Sequence, residues 1–251
     1  KADRVVIVRS TDTGEGRGLT TRVESLSLFL RGAKDGEALI VEGWDANRRY
    51  GLYRVAQQTG ETSLLLPLPG LTGYVRADSS PDEKIWYLMT ADPESWNNSV
   101  LVAKELASGR ETVLLKRTGA ISVSTSPDGR RLALAAGNEI PRGQSVLVIP
   151  AAGGEPRELV RIDPLESNWR VAPKWTPDGR HILFVKGKKG RATSDVQLWR
   201  VPAEGGEPER LGLTVDEMWW ISPHPDGRRI AFGDWWTQTE LWVIENFLPK
   251  R

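Results

Sequence analysis

The sequence contains no cysteine, and its 251 residues include only two histidines and two methionines. Without cysteine the chain has no disulfide, thiolate metal site or cysteine nucleophile, and it suits a reducing or an oxidising compartment. No apolar run approaches the ~18 residues that a membrane-spanning helix needs, so no membrane insertion is expected. These absences leave the location open, with a periplasmic or other extracytoplasmic compartment favoured.

An excess of charge of one sign is also missing. Lys and Arg together number 34, and Asp and Glu number 33. No overall field therefore draws the chain to nucleic acid or to an anionic membrane. The sequence also lacks a Gly-rich phosphate loop and a helical element that would read DNA, so we expect no nucleic-acid partner.

Residues that carry out catalysis are equally scarce. His181 and His224 both belong to the turn motifs described below, so neither a zinc site nor a His-dependent triad is predicted. No serine lies in a nucleophile elbow. The sequence predicts no catalytic residue, no metal site and no cofactor, and we do not expect the chain to be an enzyme.

The sequence does contain an internal repeat. Residues 126–134 read Ser-Pro-Asp-Gly-Arg-Arg-Leu-Ala-Leu, and residues 176–184 and 224–232 are nearly the same. Degenerate copies stand at 33–40 and 80–87, and a turn aspartate thus recurs at Asp35, Asp82, Asp128, Asp178 and Asp226. The gaps of 47, 46, 50 and 48 residues are typical of propeller blades.

Each motif predicts a hairpin. Proline presets φ for a turn, aspartate caps the turn through its side chain, and glycine adopts the positive φ that the turn requires. A second glycine turn follows about twenty-five residues later in most repeats, clearest at 150–156 and 202–208. Every repeat therefore reads as four antiparallel strands, which form one blade.

These motifs resemble the TolB-like family of propeller repeats, a relative of the WD40 class. The resemblance covers roughly residues 22 to 245, and three of the five copies carry the whole motif. Lys34 replaces the proline of the first copy, and Glu83 replaces the glycine of the second. The resemblance implies a β-propeller that binds proteins or small ligands, and it implies no reaction.

We therefore predict an all-β fold, a single β-propeller domain over 1–251 with about five four-stranded blades. The predicted repeats are approximately 22–70, 71–117, 118–161, 162–213 and 214–246. The last repeat lacks a fourth strand, and the β-branched run at 4–9 has no hairpin partner nearby in sequence. We expect residues 4–9 to pair with 240–245 and to close the ring. A fragment of a larger ring is the alternative.

Loops sort by face once the blade order is set. The Pro-Asp-Gly and glycine turns share one face, the turn face, and the remaining loops and the blade connections share the other, the varied face. Tryptophan and arginine gather in the varied-face loops, where binding sites usually lie. The predicted ligand-binding residues are Trp44, Arg48, Arg49, Tyr50, Trp96, Trp169, Arg170, Trp219, Trp220, Trp235 and Trp236.

The tryptophans also have a structural interpretation, because large aromatic side chains fill the space between blades. Trp86, Trp175, Trp199 and Trp242 lie inside predicted strands and are expected in the core. Trp169, Trp219 and Trp220 stay open between packing and a ligand-lining role. The others lie in polar loops, where an aromatic platform beside arginine would suit a sugar ring, a peptide or an acidic ligand.

Three functions remain open from the sequence. The first is a non-catalytic propeller that binds a protein, a peptide or a small polar ligand, as a monomeric C-terminal sensor or scaffold domain of a larger bacterial protein. The second is a carbohydrate-binding or carbohydrate-active propeller. Glycosidase activity would need two acids to converge from among Asp45, Asp78, Glu94, Glu217 and Asp234. The third is a gating propeller related to prolyl oligopeptidases.

Overall fold

The computed structural model describes residues 4–9, 15–23, 25–33, 35–68, 76–92, 94–138, 143–163, 165–166, 173–189, 194–215, 218 and 220–233. Over these ranges the chain forms twenty β-strands and no α-helix. These residues therefore include no helix that could cross a membrane.

Four complete sheets follow one another along the chain. Each has four antiparallel strands in sequence order, and each forms one blade of the molecule. The first blade consists of β3 (Ser25–Gly32), β4 (Ala38–Trp44), β5 (Tyr50–Ala56) and β6 (Thr62–Pro67); the second of β7 (Arg76–Ser79), β8 (Ile85–Asp92), β9 (Ser95–Glu105) and β10 (Glu111–Thr118).

The third and fourth blades repeat this order. The third consists of β11 (Ala120–Thr125), β12 (Arg131–Asn138), β13 (Gly143–Pro150) and β14 (Arg157–Ile162); the fourth of β15 (Lys174–Trp175), β16 (His181–Lys189), β17 (Ser194–Pro202) and β18 (Glu209–Val215). The fifth blade is described by β19 (Trp220–Pro223) and β20 (Ile230–Gly233).

The core lies between the blades because each of the four complete sheets has apolar residues on both faces. Successive residues of a strand point to opposite faces. In β12, Leu132 and Leu134 pack against the second blade, whereas Ala133 packs against the fourth. Face-to-face packing of successive sheets is the arrangement of a β-propeller, and the predicted fold class is confirmed.

The amino-terminal strand differs from the expectation in its pairing. β1 (Arg4–Arg9) forms an antiparallel hairpin with β2 (Gly16–Thr21), so the prediction that it has no hairpin partner nearby in sequence is wrong. Leu19 of β2 is buried against Val41 and Val55 of the first blade. The hairpin therefore covers the face of the first blade that a preceding blade would cover. The expected pairing with 240–245 lies outside the described residues.

The turn motifs form the hairpins that the sequence predicts. In the third blade Gly129 has φ of 72°, and Ser126 accepts its backbone N–H at 2.9 Å. Asp128 Oδ1 accepts hydrogen bonds from the Ser126 hydroxyl at 2.6 Å and from the backbone N–H of Arg130 at 3.0 Å. A Cβ on Gly129 would lie 2.7 Å from Pro81, so the glycine also lets adjacent turns pack closely.

The inner strands hold one another at the centre of the molecule. Asp78 of β7 accepts the backbone N–H of Thr125 in β11 at 2.8 Å. The indole N–H of Trp175 in β15 donates to the carbonyl of Ser124 at 3.0 Å. The first bond satisfies a backbone N–H on the inner edge of β11, which has no strand beside it on that edge within the described residues, and the second connects β15 to β11.

Candidate functional site

The structure describes part of the predicted site. Trp44, Arg48, Arg49 and Tyr50 are described with their side chains, on the loop between β4 and β5. Trp96 and Trp220 are described by their backbones in β9 and β19. Trp169, Arg170, Trp219, Trp235, Trp236 and also the core candidate Trp242 lie outside the described residues.

The core tryptophans lie where the sequence places them. Trp86 is 0% exposed and Trp175 is 5% exposed, and each belongs to a core cluster between two blades. Trp199 is half-buried against the same cluster as Trp175. The interpretation of these three indoles as packing residues is confirmed.

The structure of the second blade differs from the sequence prediction at one loop. The sequence suggests a polar loop over 92–98, but β9 begins at Ser95 and Trp96 lies within it. Asp92 pairs directly with Ser95, and Asp92 Oδ1 accepts the backbone N–H of Glu94 at 3.0 Å. Asp92 thus caps the start of this connection, and Trp96 belongs to β9, beside the register shift of the β8–β9 ladder.

Trp44 and Tyr50 form an aromatic pair on the varied face. They are directly opposite each other in the β4–β5 ladder, which brings their ring centroids to 4.8 Å with the planes inclined by 40°. Trp44 remains 37% exposed, whereas Tyr50 also packs on the core between the first and second blades. The pair therefore presents an indole to solvent on a support fixed by the sheet.

A buried carboxylate lies beneath this pair. Glu42 of β4 is 1% exposed, and the Tyr50 hydroxyl donates a hydrogen bond to its Oε1. Burial, together with this carboxylate, raises the pKa of Tyr50 and keeps its hydroxyl protonated. The sequence prediction missed Glu42. An alignment of the blades could have identified it. Seven residues after the turn aspartate, the second, third and fourth blades have the uncharged residues Met89, Ala135 and Val185, whereas the first blade has a glutamate.

Arg49 stabilises the loop through an ion pair with Asp45. Its Nε and one terminal nitrogen each lie 2.8 Å from Asp45 Oδ2. Asp45 Oδ1 also accepts the backbone N–H groups of Asn47 and Arg49, both at 2.9 Å. The N–H of Arg49 is the largest of the causes that lower the pKa of Asp45. The Arg49 guanidinium is thus already paired with a carboxylate.

Arg48 occupies the strained position of the same loop. Its φ is 58°, in the left-handed region that favours glycine, and its backbone N–H donates to the Asp45 carbonyl at 2.9 Å. The side chain is exposed and forms no ion pair with another described residue. Arg48 is therefore the predicted arginine whose charge is available on the described part of the varied face.

The second blade presents polar side chains to the first. Leu88 of β8 packs against Ile40 and Leu52 of the first blade, and Thr90, which alternates with Leu88, shares that face of the strand. The β8–β9 ladder shifts register between Ala91 and Asp92. Asp92 is assigned to the same face because its Oδ2 lies 3.9 Å from Lys116, which is in line with Val100 and Thr90 across the sheet. Glu42 and Trp44 share the facing side of β4 with Ile40. We call this end of the boundary, with Glu42, Trp44, Tyr50, Thr90 and Asp92, the blade 1–2 junction.

The acids considered for catalysis have separate roles where they are described. Asp45 pairs with Arg49 in a loop of the first blade, and Asp78 lies in β7, 3.3 Å from the Arg31 guanidinium. Glu94 is exposed in the turn of the second blade. Glu217 and Asp234 lie outside the described residues. No group of three potential metal ligands occurs in the described part of the chain.

The arrangement of blades defines the chain as a β-propeller, and comparisons by sequence add little to this. No family model matches the sequence. A stretch of 60 residues is 33% identical to an uncharacterized protein of Agrobacterium fabrum, and it covers 24% of this chain and 19% of that protein.

Solved structures share the fold more widely. A protein assigned to TolB from Agrobacterium tumefaciens has a TM-score of 0.69 at 19% identity, covering 92% of this chain and 78% of its own. TolB of Acinetobacter baumannii gives 0.66 at 16% identity, over 90% and 53%. An oligogalacturonate lyase of Vibrio parahaemolyticus gives 0.63 at 15% identity, over 89% and 62%. These similarities show a common propeller fold.

Proposed function

We propose that the chain is a non-catalytic propeller that binds a protein or peptide on its varied face. The observation that carries the proposal is the Trp44–Tyr50 pair. An indole that is 37% exposed at the end of a strand forgoes part of the roughly 2 kcal/mol that burial would contribute. Tryptophan and tyrosine are the residues most enriched at the centres of protein interfaces.

The rigidity of the support strengthens this proposal. Both residues belong to paired strands, Tyr50 is anchored by its hydrogen bond to Glu42, and the intervening loop is tied by Asp45. A preorganised aromatic surface loses little conformational entropy on binding, so more of the contact energy remains as affinity. Trp235 and Trp236, which lie outside the described residues, belong to this proposal as predicted residues of the same face.

A carbohydrate-binding role is the second candidate. The likeness to an oligogalacturonate lyase favours it, and an exposed indole also suits stacking on a sugar ring. Carbohydrate hydrolysis would require a pair of acids in addition. The two candidates predict different ligands for the same Trp44 surface.

Peptide and glycan arrays probed with the same protein separate these candidates. We expect the wild type to bind peptides, Trp44→Ala to lose that binding, and Trp44→Phe to retain part of it because an aromatic ring remains. Val113→Ala is the control, since Val113 is an exposed side chain of the outer strand β10. Glycan binding that depends on Trp44 would replace the peptide proposal with the second candidate, and binding unaffected by Trp44→Ala would contradict both.

A further inference from the structure

The blade 1–2 junction contains a carboxylate with little inside the protein to balance its charge. Asp92 is 6% exposed, and its Oδ1 accepts the backbone N–H of Glu94. Its other oxygen, Oδ2, forms no hydrogen bond with the described residues, and its contact there is the Lys116 ammonium at 3.9 Å. Buried carboxylates are normally paired more closely or hydrogen-bonded at both oxygens.

Lys116 compensates Asp92 weakly. Its side chain is 53% exposed, and its ammonium lies equally far, 3.9 Å, from Glu94 Oε2. A solvent-exposed ammonium at this distance is screened by water and shared between two acids. Within the described residues, the Oδ2 atom of Asp92 therefore has no cation closer than 3.9 Å.

The first blade supplies the complementary wall. Glu42 places a second carboxylate on the side of β4 that faces the second blade, and the Trp44–Tyr50 pair lies directly above it on the same side. The faces of aromatic rings attract ammonium and guanidinium groups, most strongly the indole. An aromatic wall and carboxylates together are the elements that recognise an organic cation.

We infer that the blade 1–2 junction binds a lysine or arginine side chain of the partner, an inference that rests on the binding function proposed above. The aliphatic part of that side chain packs on Trp44, and its charged end takes a charge-assisted hydrogen bond to Asp92 Oδ2. This specifies the ligand chemistry differently from the sequence, which suggested an acidic ligand among the options for tryptophan beside arginine.

The two arginines of the β4–β5 loop differ in how their charges would affect a bound cation. Arg49 is already neutralised by Asp45, so it offers no charge to an acidic ligand. Arg48 is exposed, and its charge would repel a bound cation through solvent. The effect of Arg48→Ala therefore depends on the charge of the ligand. Binding of a cation should become stronger, and binding of an anion should become weaker.

Synthetic hexapeptide libraries with one fixed central residue test the inference. The fixed residue is lysine, arginine, citrulline, norleucine or glutamate, and the other positions are randomised. We expect the wild-type chain to prefer the lysine and arginine libraries over the neutral isosteres by about tenfold. Asp92→Asn, which keeps an oxygen to accept the Glu94 N–H, should remove that preference while leaving the weaker binding of the norleucine library unchanged.

Lys116→Gln provides a second variant that does not alter a buried residue. Because it removes the competing ammonium, it should strengthen binding of the lysine library. Equal binding of lysine, citrulline and glutamate libraries that still depends on Trp44 would overturn the cation inference and leave the binding function intact. Peptide binding that Trp44→Ala does not change, or no binding of any library, would overturn both.

Discussion

The guanidinium of Arg31 in the first blade lies over the indole of Trp86 in the second, with its central carbon 4.8 Å from the ring centroid. The same group donates to the Ser79 hydroxyl at 2.7 Å and lies 3.3 Å from both Asp78 and Glu83. One arginine thus connects two blades by stacking, hydrogen bonding and ion pairing.

Removing this arginine should destabilise the protein strongly. Arg31→Met keeps the volume but leaves the buried Asp78 carboxylate without its cation, and we expect a loss of about 3 kcal/mol in the free energy of unfolding. Arg110→Met is the control, because that arginine is 70% exposed and pairs with Glu105 at the surface. Urea titration measures both variants. A loss below about 1 kcal/mol for Arg31→Met would show that the blades do not depend on this contact.

Glu83 tests the balance between backbone strain and ion pairing. Its φ is 56°, where glycine stands in the three complete motifs, but its carboxylate lies 3.3 Å from Arg31 and 3.6 Å from Arg54. Glu83→Ala loses the ion pairs and keeps the strain, whereas Glu83→Gly loses the pairs and relieves the strain. We therefore expect the glycine variant to be more stable than the alanine variant by about 1 kcal/mol in urea unfolding. Equal stabilities would contradict the strain argument.

The turn aspartates should act on stability and not on binding. Asp128→Ala removes the acceptor for Ser126 and Arg130 and should cost about 1 kcal/mol of unfolding free energy. Asp128→Asn retains an acceptor oxygen and should cost less. Loss of peptide binding at unchanged stability would show that this aspartate belongs to a ligand site.

Acid should destabilise the fold through the same turns. Hydrogen bonds from the backbone of Arg228, with further contributions from Arg229 and His224, lower the pKa of Asp226 to about 2. A carboxylate with a depressed pKa contributes stability above its unfolded pKa of ~3.9, and that contribution is lost as the pH falls towards 2. The wild type should therefore lose more stability between pH 4 and pH 2 than Asp226→Asn does. Parallel profiles of thermal midpoint against pH would contradict this assignment.

The amino-terminal hairpin should stabilise the first blade. Leu19→Ala removes a side chain that is 5% exposed and packs on Val41 and Val55, so we expect a loss of about 3 kcal/mol. Deletion of residues 1–11 removes β1, the strand that pairs with β2, and should lower the midpoint of the whole unfolding transition. An unchanged midpoint for the deletion would refute a closing role for β1, including the predicted pairing with 240–245.

The sequence predicts the blades because the turn chemistry is local. Proline, aspartate and glycine specify a hairpin within four residues, and the period then specifies the propeller. The β1–β2 hairpin escaped prediction because Gly16–Thr21 consists largely of glycine and threonine, without the alternation of apolar residues that marks a strand. Its one buried leucine, Leu19, can be recognised as a core residue only from its packing on the first blade.

The aromatic residues of the candidate site could be predicted from the sequence, but the contacts between them could not. Trp44 and Tyr50 attract attention as aromatic residues in a polar segment, but their ring contact depends on a strand register that composition does not reveal. Glu42 and Asp92, which the proposed site adds, were not predicted because the burial of these two carboxylates depends on tertiary packing. Trp96 was assigned to a loop because the residues around it are polar, although β9 begins at Ser95.

Contact between Trp44 and the ligand is the point on which the proposed binding function depends. It can be observed by NMR in a titration of ¹⁵N-tryptophan-labelled protein with a peptide selected from the lysine library. Trp44→Phe assigns the indole N–H signal of Trp44. We predict that this signal shifts with saturation, while the signals of the core indoles Trp86 and Trp175 stay in place. A Trp44 signal that does not move when the peptide is bound would contradict the proposed site.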